Sequence, residues 1–210
     1  MSELVDVTSE FSKLASDEQI ARAVAALDEN GIETHLVDSG EDARAAVRSH
    51  LRDGSEVFNN TSQTLEAIGV ADDIERSGRY QALRLRLYQM DREMQKREMR
   101  MLSGAPDYVV GSAHALTEGG SLLIASASGS QLGPIASGAG KVILVIGGQK
   151  IVPDVDTGIR RIYEYCFPLE DQRARLAYGV NSAVNNLLII NRVVMPGRIT
   201  VILVKEKLGF

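Results

Sequence analysis

Apolar positions along the chain follow two rhythms, and the change between them separates the predicted elements. The first rhythm is helical. Ile20, Val24 and Leu27 recur four and three residues apart and so share one helix face. Ser16-Asp17-Glu18-Gln19 just ahead has the form of a capping box, the serine accepting an amide bond while the glutamine reaches back. Asn30-Gly31 stops that helix, since both residues tolerate a left-handed cap. Ile32 to Val37 alternates as a strand does. Ala43, Val47 and Leu51 then mark a second helix over about Glu41 to Arg52, and Glu56-Val57-Phe58 reads as a short strand. That strand runs directly into Asn59-Asn60-Thr61-Ser62-Gln63-Thr64 and a helical segment from Leu65 to Ile68, forming a strand–turn–helix.

Residues 70 to 103 are helical and charged, with Leu87, Met90, Met94 and Met101 close to one stripe that reads as core filling. Beyond Ser103-Gly104-Ala105-Pro106 the rhythm changes to short unbroken apolar runs separated by glycines. Ten of the 19 glycines fall between Gly104 and Gly148. The runs are too short to cross a membrane and the right length for buried strands, predicted near 107–111, 121–126 and 141–147, with a helical turn near 131–137. Asp154 to Arg161 and Glu170 to Tyr178 read as helices split by Phe167-Pro168. Leu187 to Asn191 and Ile199 to Lys205 are β-rich and separated by Met195-Pro196-Gly197, which predicts a C-terminal β-hairpin. The predicted fold class is α/β: a Rossmann-like, mostly parallel sheet with helices on both faces.

Composition narrows the function classes. A chain of 210 residues with 44% hydrophobic and 24% charged residues suits one globular domain with a sizeable core. Cys166 is the single cysteine, so no disulfide framework or cysteine-held cluster is expected, and that usage suits a reducing cytoplasm. The acidic start MSELVDVTSEF lacks the pattern of a secretory signal. A net charge of −5 argues against a nucleic-acid partner, and no membrane partner is expected. The charge is unevenly spread: seven bases against three acids lie between Arg79 and Arg100, either the solvated face of a helix or an anion-steering face. A homodimer is left open on the commonness of two-fold symmetric assemblies, with no residue pattern behind it.

Candidate chemistry clusters at strand ends, where open α/β sheets place ligands. The Asn60-Thr61-Ser62 turn offers hydroxyls and amides; it is either an anion site or simply an N-cap. Glu118, in Thr117-Glu118-Gly119-Gly120, offers a general base or nucleophile that substrate can approach closely, or else a turn acid that bonds neighbouring amides. His114 could pair with it or be structural. The Ser128-Gly129-Ser130 loop suits a phosphate or carboxylate, though it matches neither G-x-G-x-x-G nor a Walker A pattern. Lys150 follows a predicted strand and a Gly-Gly pair, facing the same edge or solvent. Asn181, Asn185, Asn186 and Asn191 line a polar pocket or occupy turns. Three histidines and one cysteine argue against a transition-metal site.

Val110-Gly111-Ser112, then Ala115-Leu116-Thr117-Glu118-Gly119-Gly120-Ser121-Leu122, the Ser-Gly loop and Gly148-Gln149-Lys150-Ile151-Val152-Pro153 resemble the LUD (lactate utilization) domain family. The resemblance extends back to Asn60-Thr61-Ser62 and covers most of the chain beyond about residue 55. It implies one LUD-type α/β domain over 1–210, with a helix–strand–helix lead-in at 1–54 and a core at 55–210. The implied fold is that of the NagB/RpiA/CoA transferase-like superfamily, shared by ribose-5-phosphate isomerases, glucosamine-phosphate deaminases and coenzyme A transferases. By position, the Asn60 turn and the Ser128 loop would hold a ligand's anionic group. Some coenzyme A transferases carry a nucleophilic glutamate in a Ser-Glu-Asn-Gly turn, which Thr117-Glu118-Gly119 resembles with glycine in place of asparagine.

Some family members act beside iron–sulfur subunits in L-lactate oxidation. The resemblance therefore implies a small organic-acid or anion-binding accessory subunit in carbon metabolism, with iron–sulfur oxidoreductase subunits as partners. The alternative is a free-standing isomerase or transferase that uses Glu118 on a sugar phosphate or acyl-CoA. The expected substrate-binding set is Asn60, Thr61, Ser62, His114, Thr117, Ser128, Gly129, Ser130 and Lys150, with Glu118 as the catalytic candidate and no cofactor or metal. These turns are expected to converge on one rim above parallel strands.

Overall fold

The structure, a computed structural model, describes residues 10–210. Residues 1–9, most of the acidic start, lie outside the described residues. In chain order the elements are α1 (Asp17–Glu29), β1 (Glu33–Val37), α2 (Gly40–His50), β2 (Glu56–Asn59), α3 (Gln63–Ala67), α4 (Val70–Arg76), β3 (Gln81–Ala82), α5 (Leu83–Gln89) and α6 (Lys96–Gly104). There follow β4 (Tyr108–Gly111), β5 (Ala115–Thr117), β6 (Leu122–Ser126), β7 (Lys141–Gly147), β8 (Ile151–Val152), α7 (Val155–Arg161), α8 (Phe167–Tyr178), β9 (Asn186–Ile190) and β10 (Ile199–Val204).

The local signals at the start of the chain form as their chemistry requires. Ser16 caps α1 in a full capping box with Gln19. Gly31 leaves the helix at φ +77°, where an added Cβ would lie 2.8 Å from the Val193 carbonyl oxygen. Ser39 caps α2, accepting from the Asp42 amide.

Six strands build the main sheet in the order β1-β10-β7-β4-β2-β3, all parallel. Its central strands are apolar on both sides because both faces are covered. From β7, Val142, Leu144 and Ile146 join one core with Ile20, Ala23 and Leu27 of α1, whereas Ile143 and Val145 join the other with Ala43 and Val47 of α2. A second, four-stranded sheet, β8-β5-β6-β9, shares the α1 face: Leu116, Leu122 and Ile124 pack into the first core. Its other side is backed by α7, where Gly158 leaves room for Leu123; a Cβ there would sit 2.9 Å from Leu123 Cδ2. The parallel, helix-flanked sheet is thus as expected, with one face shared between helices and a second sheet.

The expected C-terminal hairpin does not form. β9 pairs antiparallel with β6, and β10 inserts in parallel between β1 and β7. Pro196-Gly197 turns the chain but does not choose its partner. All six residues of β10 are buried, which suits a central strand, whereas β9 is only part-buried, which suits an edge. The methionine stripe is also not core: Met94 and Met101 are exposed, because residues 70–103 break into three helices and the two-residue β3, so no single helix face carries the stripe. Pro168 sits in the first turn of α8, joined to α7 by a π-helical segment at Ile162–Cys166 rather than separated from it. No helix among the described residues is long and apolar enough to cross a membrane.

Candidate functional site

Parallel register brings three carboxyl-terminal strand ends together. Asn59 of β2 pairs with Val110 of β4, and Gly111 pairs with Leu144 of β7. The residues that follow each strand, Asn60–Thr64, Ser112–His114 and the turn Gly148–Lys150, therefore share one rim. There Asn60–Thr64, Ser112–His114 and Lys150 enclose a cavity of about 390 Å³ together with Ala125–Ser128, Ser130 and Gln131 at and beyond the end of β6 and with side chains from α8.

Lys150 is the central group. It is 2% exposed, and its Nζ donates to Thr64 Oγ1 at 2.9 Å and Ser112 Oγ at 3.1 Å. No carboxylate lies within ion-pair distance of it among the described residues. Burial, and secondarily the Arg161 charge, push its pKa down to about 7. Arg161, the last residue of α7, is fully buried behind the same wall. It donates to the His114 carbonyl oxygen, to Cys166 Sγ at 2.9 Å and to the Phe11 carbonyl oxygen at 3.4 Å, and it lies over the Tyr165 ring at 5.0 Å. It too has no carboxylate partner among the described residues. Arg173 on α8 is the contrast: it lines the cavity but is held by a two-pronged bond to Glu170 at 2.7 and 2.8 Å.

His114 lines the cavity in neutral form. Its Nδ1 accepts from the Ala125 amide at 3.1 Å, which leaves the proton on Nε2. Burial, then the nearby Lys150 and Arg161 charges, push its pKa down to about 3. Asn60 is 5% exposed, and neither its Nδ2 nor its Oδ1 has a partner. Gly111 makes room for that amide, since a Cβ there would lie 2.6 Å from Asn60 Nδ2. The wall of the cavity thus brings together a buried amide with two unmet bonds, an ammonium without a counter-charge among the described residues and an imidazole N–H, groups whose chemistry suits oxygen acceptors. A second cavity, also about 390 Å³, adjoins the first, sharing Asn60, Thr61, Ser128, Ser130 and Gln131, and carries Arg84, Arg92 and Arg100 from the basic segment.

The expected residues divide. Asn60, Thr61, Ser62, His114, Ser128, Ser130 and Lys150 line the first cavity. Ser62 is the N-cap of α3, its hydroxyl accepting from the Leu65 amide, and it also lines the cavity. Gly129 shapes the loop at φ +77° but is not a lining residue. Thr117 and Glu118 do not reach the cavity. Thr117 Oγ1 accepts from the Ser121 amide at 2.9 Å. Glu118 takes Gln19 Nε2 on one oxygen at 2.9 Å and Arg22 Nε on the other at 2.6 Å, both from α1. The bond from Arg22 holds its carboxyl below the usual range. Asn30 donates to the Gly119 carbonyl oxygen, so the whole turn docks on α1. The convergence of turns is therefore real for Asn60 and Ser128 but not for Glu118. Asn185, Asn186 and Asn191 hold the edge strand β9 and its neighbours by bonding to Ala127, Ser126 and Ser121. Arg161 escapes a reading by spacing because it sits beside the solvated Arg160. Its signal was its place on one stripe with Gly158 and Tyr165.

A parallel α/β sheet with a cavity at its carboxyl edge defines the class: a Rossmann-like α/β domain. The model of the LUD domain family matches residues 20–204, and the chain belongs to that family. Among solved structures it is similar to a DUF162 family protein from Deinococcus radiodurans, with 14% identity, a TM-score of 0.57 and coverage of 91% of this chain and 99% of that one. A comparison with curated proteins gave no match.

Proposed function

We propose that this LUD-domain protein binds a small organic-acid anion in the Lys150 cavity and serves as an accessory subunit of cytoplasmic carbon metabolism, beside iron–sulfur oxidoreductase subunits. The observation that carries the binding role is Lys150 itself. An ammonium buried with no counter-charge costs stability, and a carboxylate ligand would remove that cost. The ligand's carboxylate would lie against Lys150 Nζ, with the Asn60 amide and His114 Nε2–H available to a hydroxyl or carbonyl oxygen. The family's link to lactate utilization supports a 2-hydroxy or 2-oxo acid as the class.

The test is a thermal-shift screen of hydroxy acids, sugar phosphates and coenzyme A esters on the wild type and on Lys150→Met. A small 2-hydroxy or 2-oxo acid is expected to raise the melting temperature of the wild type with concentration and to do nothing to Lys150→Met. Stabilisation of both proteins alike, or of neither, would remove the proposal. Co-purification of tagged protein from its native cells tests the partner: recovery without any iron–sulfur subunit counts against the accessory role while leaving the anion site standing. A second, enzymatic reading rests on Lys150 rather than Glu118, because an amine titrating near neutrality beside a neutral imidazole N–H can exchange protons with a bound acid.

A further inference from the structure

Two of the three histidines meet far from the cavity. Glu33 opens β1 and His35 lies two residues on, so the pleat puts both side chains on one face of an edge strand, at the amino end of the parallel sheet. The last residue of α2, His50, comes down on that same face. Glu33 Oε1 lies 3.1 Å from His35 Nε2 and 3.9 Å from His50 Nε2. The two rings stand edge to face with centroids 4.8 Å apart. One carboxylate oxygen and two imidazole nitrogens thus fall within 4.8 Å of one another.

The hydrogen bonds around this cluster orient it as a ligand set. His50 Nδ1 lies 2.8 Å from the Ala46 carbonyl oxygen, which can only accept, so Nδ1 carries the proton and Nε2 presents its lone pair towards Glu33. A backbone carbonyl fixing the tautomer in this way is how metal-bound histidines are held. Ser49 Oγ, 3.4 Å from the same nitrogen, itself donates to Ala46 and does not compete. Thr200 Oγ1 donates to Glu33 Oε2 at 3.3 Å, which leaves Oε1 for the cluster. His35 Nε2 donates to Glu33 Oε1, while the lone pair of His50 Nε2 faces the same oxygen with no proton between them; a cation takes this place once the His35 proton moves to Nδ1. Bonds of about 2.0–2.1 Å to zinc place tetrahedral ligands roughly 3.3 Å apart. The two distances to Glu33 bracket that spacing, and rotation of the part-exposed imidazoles closes the rest.

We propose that Glu33, His35 and His50 form a binding site for a late first-row divalent ion of the zinc class, with solvent completing its coordination. Two imidazoles and one carboxylate suit such ions and are a poor set for magnesium or calcium. The ion ties the last turn of α2 to the exposed edge strand, a staple at the opposite end of the sheet from the anion cavity and independent of it.

The test is calorimetric titration of the tag-free, metal-free full chain with zinc chloride, with the visible absorption of the cobalt complex as a signature of its geometry. One zinc per chain is expected, with magnesium silent at the same concentration. Thr200→Val should weaken zinc binding about tenfold, as loss of an outer-shell hydrogen bond does, and His35→Ala or His50→Ala by more than that. The histidine variants should keep the metal-free melting temperature, since both side chains are part-exposed. Failure of the wild type to bind zinc, or binding that survives unchanged in the His35→Ala/His50→Ala double variant, would overturn the site.

Discussion

Glu118 precedes a Gly-Gly pair and Lys150 follows one; in sequence the two charges look equally available. Their surroundings are opposite. Both Glu118 oxygens are taken by α1, and the turn behind it is locked: a Cβ on Gly120 would lie 2.8 Å from the Ala26 carbonyl carbon. Lys150 is buried against two hydroxyls with no anion in reach among the described residues. A charge that the fold satisfies is holding the fold together. A charge buried against hydroxyls without a counter-charge is open to an outside partner, the role proposed for Lys150.

Arg161→Met gives the largest expected effect. It removes the donor to the His114 carbonyl oxygen, together with the bond to Phe11, and should cost roughly 3 kcal/mol in denaturant unfolding. A neutral outcome would mean that the hydrogen bonds of Arg161 to these carbonyls do not hold the fold, and that Arg161 belongs with Lys150 rather than with Glu118.

The pH dependence sharpens the contrast next. Lys150 falls from an ordinary value of 10.5 to about 7, so between those values the unfolded chain holds a proton that the folded one lacks. Folding stability attributable to Lys150 should therefore rise from pH 7 to 10.5, a slope that Lys150→Met abolishes. Carboxylate affinity should run the other way, falling about tenfold per unit above pH 7 as the ammonium is lost. His114, lowered from 6.5 to about 3, adds stability that is lost as pH falls through that window. Glu118, with its lowered pKa, loses its contribution only as pH drops below the ordinary carboxyl value of 4.5. Unfolding curves recorded across the pH range, wild type against variants, separate the three.

Glu118→Gln should lower the melting temperature by only about 2 °C, because the Arg22 pair is exposed on one side, and should leave anion affinity unchanged. Loss of binding in that variant would return Glu118 to the site. The smallest effect is expected from Gly111→Ala, which pushes the Asn60 amide aside at little cost in stability and should weaken anion binding a few-fold in calorimetry. Unchanged affinity there would remove Asn60 from the receptor.

Much of this was legible in the chain. The capping box at Ser16, the strand–turn–helix at Asn60 and the run of buried strands after Gly104 depend on neighbours within a few residues, and they stand where local chemistry puts them. Asn60, Ser128 and Lys150 were legible as residues of the cavity wall because each follows a buried strand whose end lies at the same edge of the fold. The misplacement of Glu118 came from a contact with Arg22, 96 residues away, that no spacing reveals.

What the sequence determined by itself is the set of elements and the chemical kinds at their ends: periodicity, caps and glycine turns act over short range, so the order of residues suffices. The tertiary structure alone decided which strand β9 and β10 would pair with, that His35 and His50 would meet, and which charges would find a counter-charge. Those outcomes depend on groups distant in the chain being brought within a few ångströms, where burial and hydrogen bonding set whether a side chain is fastened or left available.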